Sequence, residues 1–177
     1  MHLVDMSSLS PTARVILGLL AWRPRTGYEI KQVTDQSTRF FWGASYGQIY
    51  PELRRLETDG LVESREEPRG RVPRRVFSLT RAGQEALDAW LEEPEEAYEV
   101  RDEGLLKLFF GDLMSPEQRL DLVRRRQAWF EESAALFRRI GDELGELDES
   151  SETVLRYGIE LMEWDAGWWQ ELERRLS

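Results

Sequence analysis

Between Ser45 and Thr80 the chain dictates an order of elements that few folds accommodate. Ser45-Tyr46-Gly47-Gln48 places a hydroxyl three residues before an amide, the pattern of a helix capping box. Ile49, Leu53 and Leu56 then recur at helical spacing, which predicts a helix to about Thr58. Asp59-Gly60 ends it, glycine being suited to the left-handed position after the last turn. Leu61 to Arg65 reads as a strand, Pro68 to Pro73 as a turn with Gly70 at its tip, and Arg75 to Leu79 as a second strand. Alternation puts Val76 and Ser78 on one face of that strand and Phe77 and Leu79 on the other. Pro51 falls inside the predicted helix, where it should remove a backbone hydrogen bond, crowd the carbonyl of Gly47 and introduce a kink. A helix of this size fits a DNA major groove, and a cationic ribbon beside it can hold the backbone.

The flanking segments extend the pattern. Ser10-Pro11 opens a first helix, with serine at the cap and proline where its missing N–H costs nothing. Val15, Ile16, Leu19 and Leu20 form its apolar stripe, and it should end near Trp22 because Arg23 precedes Pro24. Thr26 to Glu29 is another capping box, starting a helix through about Thr34. Thr80 caps a helix through about Leu91, with Ala82, Ala86, Leu87 and Trp90 as its apolar side. Three helices, a two-stranded β wing and this following helix make a winged helix-turn-helix over residues 1–91.

Residues 92–99 (EEPEEAYE) are acidic and read as a linker. Residues 100–177 read as wholly helical, giving a mainly α chain with a C-terminal three-helix dimerisation domain. Asp102 to Leu113 is expected to be one helix. Ser115-Pro116 opens a long one to about Leu144, striped by Leu120, Val123, Gln127, Phe130, Ala134, Phe137, Ile140 (or Gly141) and Leu144. Ser150 or Ser151 is expected to cap the last. That helix carries two adjacent apolar stripes: Val154, Gly158, Leu161, Asp165, Trp168 and Leu172, then Leu155, Met162, Trp169 and Leu176. A lone helix with two such stripes exposes too much apolar surface, so a C2 homodimer is expected. Its interface should include Phe130, Phe137, Leu161, Trp168, Trp169 and Leu172. Asp165, inside the apolar stripe, either meets Arg156 or an arginine of another helix, fixes the dimer register, or turns out to solvent.

The net charge of −10 over 177 residues opposes nucleic-acid binding only as a global figure. Residues 1–91 carry 13 basic and 11 acidic side chains, residues 92–177 carry 11 and 23, and residues 69–81 hold five arginines and no acid. Screening over about 10 Å means that a duplex responds mainly to the local surface. There is no cysteine, and His2 is the only histidine, so thiolate or histidine metal sites and histidine acid–base catalysis lose their usual residues. No carboxylates stand at a recognisable catalytic spacing. No cofactor, metal or catalytic residue is expected, and the chain is not read as an enzyme. No apolar run approaches the roughly 18 residues of a membrane span, and no signal-peptide core stands at the amino end, which reads as a cytoplasmic protein.

The segments ILGLLAWRPRTGYEIKQ, ASYGQIYPELRRLETDGLV and RRVFSLTRAGQEAL closely resemble the PadR family of bacterial transcriptional regulators. The specific elements are Gly27-Tyr28-Glu29, Gly47 through Leu53 with its in-helix proline, and Phe77, Leu79, Thr80 and Gly83 after the wing. The likeness is strong over about residues 9–91. Residues 100–176 resemble, less specifically, the larger C-terminal domain of the virulence-activator-like branch. The resemblance implies a dimeric winged-helix regulator, by family habit more often a repressor, and in some members one that responds to phenolic acids or other aromatic compounds.

On this reading the helix from Ser45 enters the major groove of double-stranded DNA with its amino end nearest the bases. Gln48 has the geometry to read adenine, with its place in the capping box as the competing role. Ser45, Tyr46, Tyr50 and Tyr28 offer hydroxyls to phosphates, and Arg54 grips backbone. Tyr28 is equally suited to a half-buried packing role. Arg69, Arg71, Arg74 and Arg75 of the wing contact phosphates, one near the tip entering the minor groove. Arg74 and Arg75 lie on opposite ribbon faces, so they should not touch DNA equally. Two other readings stay open: a pocket at the dimer interface for a small aromatic effector, lined by Trp129, Trp164, Trp168 and Trp169, and a protein-interaction adaptor on the same fold. Filling of the dimer core is the simpler role for those tryptophans.

Overall fold

The computed structural model describes residues 9–37, 42, 46–68, 73–95 and 101–177. The chain divides into two compact units, Met1–Glu96 and Ala97–Ser177. In the first unit, α1 (Pro11–Trp22) is capped by Ser10, whose hydroxyl accepts from the Ala13 N–H. Strand β1 (Arg25–Thr26) leads directly into α2 (Gly27–Gln36), where Thr26 and Glu29 form both halves of the predicted capping box. A 3-10 turn (Tyr46–Gln48) precedes α3 (Ile49–Thr58). Then come β2 (Val62–Glu67), β3 (Arg74–Leu79) and α4 (Arg81–Glu92). Ile16, Leu17, Ile30, Leu53, Leu56 and Val62 are almost wholly buried and knit α1, α2, α3 and β2 into one core. Each such side chain contributes about 1.5–3 kcal/mol relative to exposure.

Several expectations change. The two-stranded wing of β2 and β3 forms as expected, and β1 adds a third strand that was not expected, giving an antiparallel sheet of order β1-β3-β2. Arg25 pairs with Phe77 and Thr26 with Val76, so β3 is the central strand. Val76 and Phe77 are both about 5% exposed, although strand alternation sends them to opposite faces. Two residues between Pro24 and a capped helix are too short to register as a strand in sequence. The α-helical part of α3 starts at Ile49 rather than at Tyr46, and Gln48 makes no side-chain cap bond. The Ser45 half of that predicted box lies outside the described residues. Pro51 is therefore the third residue of α3, where the backbone N–H has no intrahelical partner to lose. Gly60 holds φ +74° and closes α3 as predicted. In α4 the inward position belongs to Gly83 rather than the exposed Ala82. A methyl on Gly83 would stand 2.0 Å from the Leu61 carbonyl oxygen, the oxygen that also accepts from the Thr80 N–H.

The second unit contains α5 (Glu103–Phe109), a 3-10 turn (Gly111–Leu113), α6 (Pro116–Leu144) and α7 (Glu149–Leu176). The single helix expected over Asp102 to Leu113 is broken after Phe110, where glycine weakens the helix and the chain must extend before Ser115-Pro116. Ser115 and Gln118 form the predicted capping box. The cap of α7 is Asp148 rather than Ser150 or Ser151; its carboxylate accepts from the Ser151 N–H and hydroxyl. A four-residue connection makes α6 and α7 an antiparallel hairpin, bridged by the ion pairs Arg124–Glu173 near its open end and Arg138–Glu163 nearer the connection. Phe130, Phe137 and Trp169 are 5%, 7% and 1% exposed inside this unit. They were expected at a dimer interface, but packing within the hairpin already covers them. No helix among the described residues is long and apolar enough to cross a membrane.

Candidate nucleic-acid interface

The site is built on the side of α3 that the core does not use. Ile49, Leu53 and Leu56 point inward, while Gln48, Tyr50 and Arg54 are exposed. Tyr28, the second residue of α2, is also exposed. Tyr50 joins the two helices: its ring lies so close to Gly27 that a methyl there would stand 2.6 Å from the ring. Glycine at the start of α2 thus lets the first turn of α3 come against it. The structure brings Tyr28, Gln48 and Tyr50 to the exposed faces of these two adjoining helix starts, with Arg54 exposed one turn beyond Tyr50 along α3. Of Tyr46 the backbone is described, in the 3-10 turn, and the side chain is not. Ser45, Arg69 and Arg71 lie outside the described residues.

Neighbouring arginines divide by role. Arg54 makes no ion pair among the described residues and is free to meet an anion. Arg55 binds Glu52 at 2.7 Å and Asp59 at 3.1 Å. Glu52 also accepts from the Ser10 hydroxyl at 2.6 Å, which ties α3 to the cap of α1. Burial alone would raise the Glu52 pKa, but hydrogen bonds from Arg55 and Ser10 outweigh it and hold the carboxyl below its usual range. Arg25 is buried in β1 and donates to the Leu19 carbonyl at 3.2 Å, so its charge is not on the surface at all.

Arginines of the ribbon are engaged with carboxylates. Arg74 and Arg65 share Glu67, at 2.7 and 2.8 Å. Hydrogen bonds from Arg74 first, then Arg65, lower the Glu67 pKa. On the other face Arg75 donates through Nε to the Ser64 hydroxyl at 2.8 Å and pairs with Glu57 of α3 at 2.5 Å. Ser64 donates to the same Glu57 carboxylate at 2.5 Å, and the Arg75 guanidinium lies 5.2 Å from the centre of the Phe77 ring. Glu57, Ser64 and Glu67 were not singled out from sequence. The signal that finds them is the hairpin register, which pairs Ser64 with Phe77 and Glu66 with Arg75.

The surface of the second unit is rich in exposed aromatic and aliphatic side chains. Trp129, Trp164 and Trp168 are among them, with Leu106, Phe109, Phe110 and Leu113 on α5 and the turn after it. Leu161 and Leu172 are half-buried. The interior has one polar centre. Arg126 pairs with Asp102 and lies 5.5, 4.7 and 5.5 Å from the rings of Trp129, Phe130 and Trp169. Burial raises the Asp165 pKa; Arg126 opposes that and Asp102 adds to it. Asp165 is half-buried, and the arginine whose charge acts on it is Arg126 of α6. Among the described residues no group of histidines or acids is placed to hold a metal ion.

Comparison with known proteins agrees with this architecture. The model of the transcriptional regulator PadR-like family matches residues 16–89, and that of the virulence activator alpha C-terminal region matches residues 100–177. The negative transcriptional regulator PadR of Bacillus subtilis (strain 168) is 34% identical over 119 residues, 64% of this chain and 65% of that protein's length. A crystal structure of Bacillus subtilis PadR with operator DNA is similar at a TM-score of 0.84 and 25% identity, over 93% of this chain and 98% of that one. The Vibrio cholerae virulence activator AphA is similar at 0.69 and 27%, over 93% and 97%. The chain thus carries a PadR-like domain over residues 16–89, followed over residues 100–177 by a virulence-activator alpha C-terminal region.

Proposed function

We propose that this chain is a sequence-specific DNA-binding repressor that acts in the cytoplasm as a homodimer on a palindromic operator. The observation that carries the reading is the exposed set Tyr28, Gln48, Tyr50 and Arg54, left over after α3 has buried its other side. The likeness to a PadR crystallised on operator DNA supports it. Gln48 and Tyr50 stand at the amino end of α3, the part that enters the major groove in helix-turn-helix proteins. Tyr28 and Arg54 flank it and hold backbone phosphates. Arg69, Arg71 and Arg74 of the wing add phosphate contacts. We place the boundary between DNA-binding and dimerisation domains in the acidic residues 92–99. Trp168, Leu161 and Leu172 retain surface for a second copy, and burial of such aromatic area is what a stable dimer needs.

The test is binding of the whole protein to the DNA upstream of its own coding sequence, measured by fluorescence anisotropy against scrambled DNA of equal length. Preference for the upstream DNA, weakening steeply as salt rises, is the expected result. Equal, weak binding to both would refute an operator there, and no binding even at low salt would favour the adaptor reading. A second reading, an aromatic effector bound at the dimer interface, is favoured by exposed Trp129, Trp164 and Trp168. Quenching of tryptophan emission by phenolic acids, together with loss of operator binding, is its signature.

A further inference from the structure

Arg75 looks at first like one more phosphate contact, but its surroundings say otherwise. Its guanidinium is closed into a triangle with Ser64 of β2 and Glu57 of α3, and all three sides are hydrogen bonds of 2.5–2.8 Å. Phe77, two residues on along the same face of β3, lies beneath the guanidinium. The triangle therefore joins the last turn of α3 to both strands of the ribbon. Outside it, α3 and the ribbon are connected by the short passage through Asp59, Gly60 and Leu61, with Gly60 in the left-handed region. Apart from the triangle the ribbon is anchored only towards its base, by that turn, by Val62 and Leu79, and by the pairing of β3 with β1 at Val76 and Phe77, and its outer part would be free to swing. A network of charge-assisted bonds fixes direction better than apolar contact does, because it fails when the geometry shifts.

We propose that Glu57, Ser64 and Arg75 form a clamp that sets the angle between the ribbon and α3, with Glu57 a positioning residue for DNA recognition. This rests on the DNA-binding reading above. It gives an acidic side chain near the interface a favourable role. Simple electrostatics assigns the opposite sign: deleting a carboxylate near DNA should tighten binding. The two accounts therefore predict opposite results for one substitution.

The experiment compares the whole protein with Glu57→Ala, Arg75→Ala and the double variant, on upstream and scrambled DNA. Glu63→Ala is the control, since it removes the same charge from the opposite face of β2. Glu57→Ala is expected to weaken upstream binding at least about tenfold, as a misplaced recognition element would. Scrambled DNA should be bound no more weakly than before, Glu63→Ala should be neutral or slightly tighter, and the double variant should be no worse than either single one. Tighter upstream binding by Glu57→Ala, or additive losses in the double variant, would overturn the clamp. A second readout needs no DNA. The chain has no cysteine, so spin labels at Arg54→Cys and Pro68→Cys report the distance from α3 to the wing. Broadening of that distance distribution by Glu57→Ala, with the circular dichroism unchanged, is expected. An unchanged distribution refutes the clamp even if the parent binds no operator. A broadened distribution in a parent that binds no DNA leaves the clamp standing and removes the DNA-binding reading.

Discussion

Arg54 and Arg55 are adjacent in sequence and separated in role by 100° of helix. Arg54 faces outward without an ion pair among the described residues, while Arg55 holds Glu52 and Asp59. Arg54→Ala is expected to weaken DNA binding severalfold and leave the urea midpoint unchanged. Arg55→Ala should do the reverse. It should lower stability by about 0.5–1 kcal/mol, the scale of a partly exposed ion pair, with little effect on DNA affinity. Anisotropy and urea denaturation on the same two variants check both halves. Sequence alone separated these two poorly, because a side chain's partner depends on what the next helix brings to it. Ser10, which anchors Glu52, is 42 residues away.

At the scale of elements, the capping boxes were legible because they are local. Thr26 with Glu29 and Ser115 with Gln118 obey a spacing of three that needs no tertiary knowledge. Strand β1 was not legible. Two residues acquire strand character only because β3 offers an edge at Arg25 and Thr26. The Asp102–Leu113 segment was misread for a related reason: its apolar residues fit a helix, but Gly111 and the extended approach to Pro116 decide otherwise. The Glu29 box carries a pH dependence. Its carboxyl pKa is lowered, first by the Thr26 backbone N–H and then by the Thr26 hydroxyl. A lowered carboxyl contributes stability above the ordinary glutamate range and loses it as pH falls through the folded value. Glu29→Ala, which removes the acceptor, should therefore cost about 1 kcal/mol near neutrality and show a flatter loss of stability on acidification, read from thermal midpoints across the acid range.

For the whole molecule, charge is divided so that salt acts on the two proposed functions with opposite sign. Residues 92–177 carry 11 basic and 23 acidic side chains, and a homodimer through this region brings two such surfaces together. Salt screens that repulsion, so dimerisation should strengthen between about 50 and 200 mM, while operator binding weakens over the same range. Sedimentation equilibrium without DNA and anisotropy with it measure the two trends separately. Trp168→Glu should shift the first towards monomer at every salt concentration, with the fold of the first unit unchanged by circular dichroism.

Glu67 adds a consequence for how such binding is counted. It already neutralises Arg65 and Arg74 at 2.8 and 2.7 Å in the free protein. When a phosphate takes either guanidinium, part of what it displaces is this tethered carboxylate. The ions released from the duplex are then offset by cations gathered at the liberated Glu67. The salt dependence of affinity would accordingly report fewer contacts than there are arginines on the ribbon. Protons could replace those gathered cations at acid pH, so the apparent number of contacts should rise as the solution is acidified.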